Sequence, residues 1–70
     1  MVAEKWIQLF IDVIREKRCV TRHYLIEHVA EVVSDEKKAA NIVDDTIEAL
    51  LKRGVIVRKG RGLYCWAGPP

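Results

Sequence analysis

Between positions 55 and 66 the chain reads VIVRKGRGLYCW, with Arg58, Lys59 and Arg61 set among Gly60 and Gly62 and flanked by apolar runs. Cations on a glycine-loosened loop can approach phosphates closely. Each phosphate they neutralise releases counterions, which gives an affinity independent of base sequence and falling with salt. Other cations gather at Arg15, Lys17, Arg18 and Arg22, at Lys37 and Lys38, and at Lys52 and Arg53. Arg22, near the start of a helix, can add a backbone contact there. The basic tip also has a simpler use, since a charged turn keeps a sheet edge from pairing with other chains.

The remaining reactive side chains point away from catalysis. His23 and His28 share a helical stretch with Glu27 and Glu31, but a five-residue spacing does not put two imidazoles on one side of a helix, so no metal is expected. No nucleophile has an adjacent base, no phosphate-binding glycine loop precedes a helix, and the carboxylates are spread over helical surfaces. Neither an enzyme nor a cofactor is expected. Cys19 and Cys65 are too few and too far apart for a zinc motif. Trp6 and Trp66 bury too much area to be read first as base-stacking platforms, and core or interface is the expectation for both.

A chain of 70 residues is one domain, 1–70, and a domain this small buries only about 60% of the surface its unfolded chain exposes. Its core therefore needs a staple or a partner. The 12 Lys and Arg against 10 Asp and Glu leave a formal charge of +2, so distribution matters more than the sum. No apolar run reaches the roughly 18 residues of a membrane span, and the opening MVAEKWIQLF is charged where a secretory signal is apolar. An intracellular, cytoplasmic protein is the expectation. Gln8, Asn41, Ser34 and Met1 are each the single residue of their kind beside 31% charged residues, a profile of proteins from hot environments.

Elements that would position these groups follow from periodicity. Trp6, Ile7, Phe10, Ile11, Val13 and Ile14 recur at helical spacing and predict a first helix from Ala3 to Lys17. With Leu9 and Ile11 its apolar stripe exceeds the roughly 100° that a surface helix needs. Cys19 and Val20 read as a short extended pair. Thr21 is placed to cap a second helix beginning at Arg22, with Leu25, Ile26, Val29, Val32 and Val33 inward and His23, Glu27, His28 and Glu31 toward water. Val43, Ile47, Leu50 and Leu51 form one face of a third helix that stops at Gly54. Its start is open: Asp35 with Ser34 as cap is favoured over Ile42 with Asn41 as cap. Residues 55–66 predict a β-hairpin with a glycine-containing loop, and the closing AGPP predicts a frayed tail.

The segments LIEHVAEVVSDEKK and IEALLKRGVIVRKGRGLYCW, in the order helix, short strand, helix, helix, hairpin, resemble the winged helix-turn-helix superfamily over nearly the whole chain. Within it the chain looks like small archaeal transcription regulators and like the carboxy-terminal winged domain of minichromosome maintenance helicases. It departs from the pattern in the segment from Ser34 to Gly54, which is about four residues longer than the usual spacing. The resemblance implies an α+β, mainly helical fold whose third helix enters the major groove of double-stranded DNA while the wing lies along phosphates. The DNA-binding set it suggests is Arg58, Lys59 and Arg61 on the wing, Arg22, and Lys37, Lys38 and Asn41 on the first turns of the third helix. A homodimer through Trp6, Leu9 and Ile11 would cover the wide stripe and set two units at half-site spacing. The fold also implies that Cys19 and Cys65 lie on neighbouring strands, where they either form a disulfide or pack as free thiols.

A second reading stays beside this one. Asp44, Asp45 and Glu48 lie farther along the exposed side of the third helix, and carboxylates near phosphates are repelled. They suit a winged domain that binds a basic protein partner.

Overall fold

The computed structural model describes residues 2–69. It contains three helices and three strands in the order α1 (Glu4–Lys17), β1 (Cys19–Thr21), α2 (Arg22–Val33), α3 (Glu36–Arg53), β2 (Ile56–Gly60) and β3 (Leu63–Trp66). The sheet is antiparallel with strand order β1-β3-β2. None of the helices is long and apolar enough to cross a membrane.

Each helix end has a local cause. Thr21 is extended, and its hydroxyl accepts the Tyr24 amide (3.1 Å), which starts α2. Ser34 closes α2 in the left-handed region at φ 56°, and so it cannot also adopt the extended backbone of an N-cap. The cap of α3 is therefore Asp35, one residue later than expected, whose carboxylate accepts the Lys38 amide (3.1 Å). The longer version of the third helix is the one adopted, and Gly54 ends it. At the end of α1, Arg18 has φ 73° and ψ −47°, a region that costs a residue with a side chain on the order of 1–3 kcal/mol.

Trp6, Ile7, Phe10 and Ile14 of α1 form one buried face with Leu25, Ile26 and Val29 of α2, Val43, Ile47 and Leu50 of α3, and Val20 and Ile56 of the sheet. Thr46 is the polar member of the interior, and its hydroxyl donates to the Ile42 carbonyl (2.7 Å). Of the two places expected for Trp6, core and interface, the structure shows the core. Trp6 is only 8% exposed, because its spacing with Phe10 and Ile14 points it into the core. Leu9, Ile11 and Val13 are half-buried against that core, so the domain itself covers most of the wide stripe. Val32, expected inward, is 67% exposed; it continues the helical face of Leu25 and Val29, but it lies in the last turn of α2, which ends just beyond it.

Register sorts the sheet's two faces. Val20, Tyr64 and Arg58 are cross-strand neighbours in one row, and Cys19, Cys65 and Val57 in the next; alternation puts these rows on opposite faces. Val20 and Ile56 turn toward the helices, and the cysteines lie on the opposite face, Cys19 exposed and Cys65 buried. The Trp66 amide donates to the Arg18 carbonyl (2.7 Å), which makes Cys19 and Cys65 a non-hydrogen-bonded pair, the kind in which backbones approach most closely. Their sulfurs are joined in a disulfide. The tail is not frayed over its described length. Ala67 and Gly68 donate to the Val55 carbonyl (2.8 and 3.0 Å), and the Trp66 indole donates to the Pro69 carbonyl (3.0 Å). Gly68 lies so close to that indole that a Cβ there would sit 2.9 Å from a ring carbon. Pro70 is outside the described residues.

Candidate nucleic-acid interface

The site starts at Arg22, the first residue of α2. Its amide donates to the carbonyl of Gly62 at the hairpin turn (2.8 Å). Its guanidinium forms a two-pronged ion pair with Asp44 of α3, Nε to Oδ1 at 2.8 Å and Nη2 to Oδ2 at 3.1 Å. One residue thus joins the start of α2, the turn of the hairpin and the outer side of α3. The hydrogen bonds from Arg22 hold the Asp44 carboxyl below the usual carboxylate range, against a smaller opposing effect of burial. The same pairing raises the Arg22 guanidinium further above its already high value.

From Asp44 the surface runs along α3. Lys37, Asn41, Asp44 and Glu48 succeed one another at intervals of three or four residues, so they form one exposed stripe, with Lys38 and Asp45 beside it. Two of the three carboxylates there are engaged by cations, Asp44 by Arg22 and Glu48 by Lys52 (3.2 Å). Asp45 has no ion pair among the described residues.

From Gly62 the surface continues onto the hairpin. Val57 to Gly60 are exposed along β2, so this arm projects from the body. The strands run farther than the sequence suggests. Gly60 pairs with Leu63, and only Arg61 and Gly62 remain as the turn, with an irregularity in pairing between Arg58 and Gly60. Gly62 has φ 68°, which a residue with a side chain rarely adopts. Arg58, Lys59 and Arg61 are exposed, and among the described residues their side chains make one hydrogen bond, a long one from Arg58 Nε to the Gly60 carbonyl (3.4 Å), and no ion pair.

The use of the other cations sets these apart. Arg15, Arg22, Lys52 and Arg53 carry ion pairs, and Lys5 and Lys17 lie over the rings of Trp6 and Tyr24. Among the described residues Arg18, Lys37, Lys38, Arg58, Lys59 and Arg61 do neither, and all of these except Arg18 lie on the two arms that Arg22 joins. His23 pairs with Glu27 (2.8 Å) while His28 stacks on Tyr24, so the imidazoles lie apart in separate contacts. Sequence reasoning missed Asp44 as the partner of Arg22 and the Gly62 carbonyl as acceptor. The ion pair spans 22 positions, and no local spacing signals it.

Comparisons of this chain with protein-family models, with characterised proteins and with solved structures give no match.

Proposed function

We propose that this chain is a winged helix-turn-helix domain that binds double-stranded DNA and serves as a transcription regulator. The observation that carries the reading is the junction at Arg22, which ties the turn of the hairpin to α3 at Asp44, on the exposed stripe that leads back to Lys37 and Asn41 in its first turns. The uncommitted cations Lys37, Lys38, Arg58, Lys59 and Arg61 lie on those first turns and on the hairpin. In this reading the wing cations hold phosphates, α3 enters the major groove by its first turns, and Lys37, Lys38 and Asn41 are nearest the bases. Arg22 reaches the backbone while Asp44 fixes its direction.

A duplex titration at two salt concentrations tests this without knowledge of a cognate sequence. The wild type is expected to show an inverse salt slope of about 0.9 per phosphate engaged. Replacing Arg58, Lys59 and Arg61 with Ala weakens binding to every duplex and makes the slope shallower. Absent binding, or binding indifferent to the triple substitution, rejects the reading. It would favour a protein-binding winged domain, for which the exposed and unpaired Asp45 is the best argument.

A further inference from the structure

We propose that the disulfide between Cys19 and Cys65 is a redox latch on the DNA-contacting surface: oxidation locks the hairpin against the start of α2, and reduction by a dithiol releases it. The proposal rests on the DNA-binding reading and adds its regulation.

Its placement distinguishes it from a core staple. The bond lies on the sheet face opposite Val20; Cys65 is buried, but Cys19 is exposed, so a reductant can reach the bridge from the Cys19 side. Strand β1 is three residues long, and its only sheet neighbour is β3. Thr21, the cap of α2, and Arg22, the junction of the candidate interface, follow the bridged residue directly. The backbone pairing that ties the segment before Arg22 to β3 thus runs through one short strand that the disulfide clamps at its first residue, while Asp44 and the buried face of α2 hold Arg22 from the other side.

The other side of the clamp is loaded against it. Arg18, next to Cys19, is held at φ 73° and ψ −47°, a conformation unfavourable for any residue with a side chain. Once the bond opens, relaxation of Arg18 pulls against the bond from the Trp66 amide to the Arg18 carbonyl, the pairing that keeps β1 on β3. Burial of Val20 resists full detachment. The buried faces of α1, α2 and α3 do not include the sulfurs, so the helical body has no part in the change.

The chemistry balances with a dithiol as the reductant. Its thiolate attacks Sγ of Cys19, the disulfide breaks, and Cys65 leaves as a thiolate that takes up a proton. The second thiol of the reductant then displaces Cys19, so that two cysteine thiols and the oxidised reductant result.

The test compares oxidised protein, protein reduced with dithiothreitol, and the Cys19→Ser/Cys65→Ser variant, by duplex titration and by residue-resolved amide exchange. Reduction is expected to weaken duplex binding about tenfold, as when the docked geometry falls to about a tenth of the population. Exchange should quicken more at Val20 to Arg22 and Leu63 to Trp66 than in α1 and α3. The double variant should match the reduced protein and ignore dithiothreitol. Equal binding by oxidised and reduced forms overturns the latch and leaves the DNA reading standing. A loss of protection that is equal in α1, α3 and the sheet on reduction also overturns it, because the bond then acts only through the global stability of the fold. Failure of the oxidised protein to bind duplex in dilute buffer removes the DNA reading and the latch together.

Discussion

Arg22 and Asp44 decide how an acidic helix can face a polyanion. Their two-pronged geometry is favourable, yet the side chains are 43% and 53% exposed, so the pair contributes at most about 1 kcal/mol to stability. Its greater effect is on charge, since Asp44 is neutralised where it would otherwise repel phosphate. Asp44→Asn is expected to leave the Arg22 charge without its partner and available to phosphate, raising duplex affinity and steepening the salt slope by about one phosphate, as titrations at two ionic strengths would register. The pair also has a pH signature. The bonds from Arg22 lower the folded-state pKa of Asp44, so the unfolded chain takes up that proton first as pH falls. The contribution is complete above the unfolded value near pH 4 and is lost as pH drops through the lower folded value. Denaturant titrations on either side of pH 4 should find this increment in the wild type and not in Asp44→Asn. The opposite shift of Arg22 lies at alkaline pH beyond the range of such an experiment.

At the scale of elements, caps set where the candidate contacts fall. Asp35 fixes the first turn of α3, the turn that carries Lys37 and Lys38. Asp35→Ala is expected to cost about 1 kcal/mol in chemical denaturation. Fraying of that turn should also weaken duplex binding, a loss that Asp35→Asn, which keeps an accepting oxygen, largely restores. The hairpin depends on Gly62 in the same way. Nothing crowds its Cβ position, where the nearest atom is the Arg22 Cβ at 3.9 Å, so the penalty of a side chain is conformational. Gly62→Val should shift the turn and break the bond from the Arg22 amide. Amide exchange at Arg22, faster than in the wild type, is the measurement that detects it.

The molecule as a whole has a small core, and the disulfide contributes much of its stability. A bridge between residues 46 apart constrains the unfolded chain by about 4 kcal/mol in the loop-entropy description. That is a large share of the 5–15 kcal/mol typical of a domain. Thermal unfolding with and without dithiothreitol should show a lower midpoint for the reduced form, with a folded baseline persisting at 25 °C. Association is a second property at this scale. With Trp6 in the core, pairing through α1 would rest on Leu9 and Ile11, both half-buried already. These offer far less than the roughly 800 Å² per partner of a standard interface. Sedimentation at micromolar concentration is therefore expected to show a monomer in the absence of DNA.

The sequence by itself determined what depends on neighbours along the chain. Helical periods, the Thr21 cap, the Gly54 stop and the glycine hairpin are local, and they appear where the residue pattern puts them. Ser34 is the cap expected for α3, and the left-handed backbone that ends α2 there moves the cap to Asp35. Tertiary structure alone decided the rest. It turned Trp6 inward, left Val32 outside, folded the tail onto Trp66, and brought Arg22 to Asp44 and Gly62. Those outcomes depend on which surfaces meet in three dimensions, and residues distant in sequence carry no spacing that announces their contact.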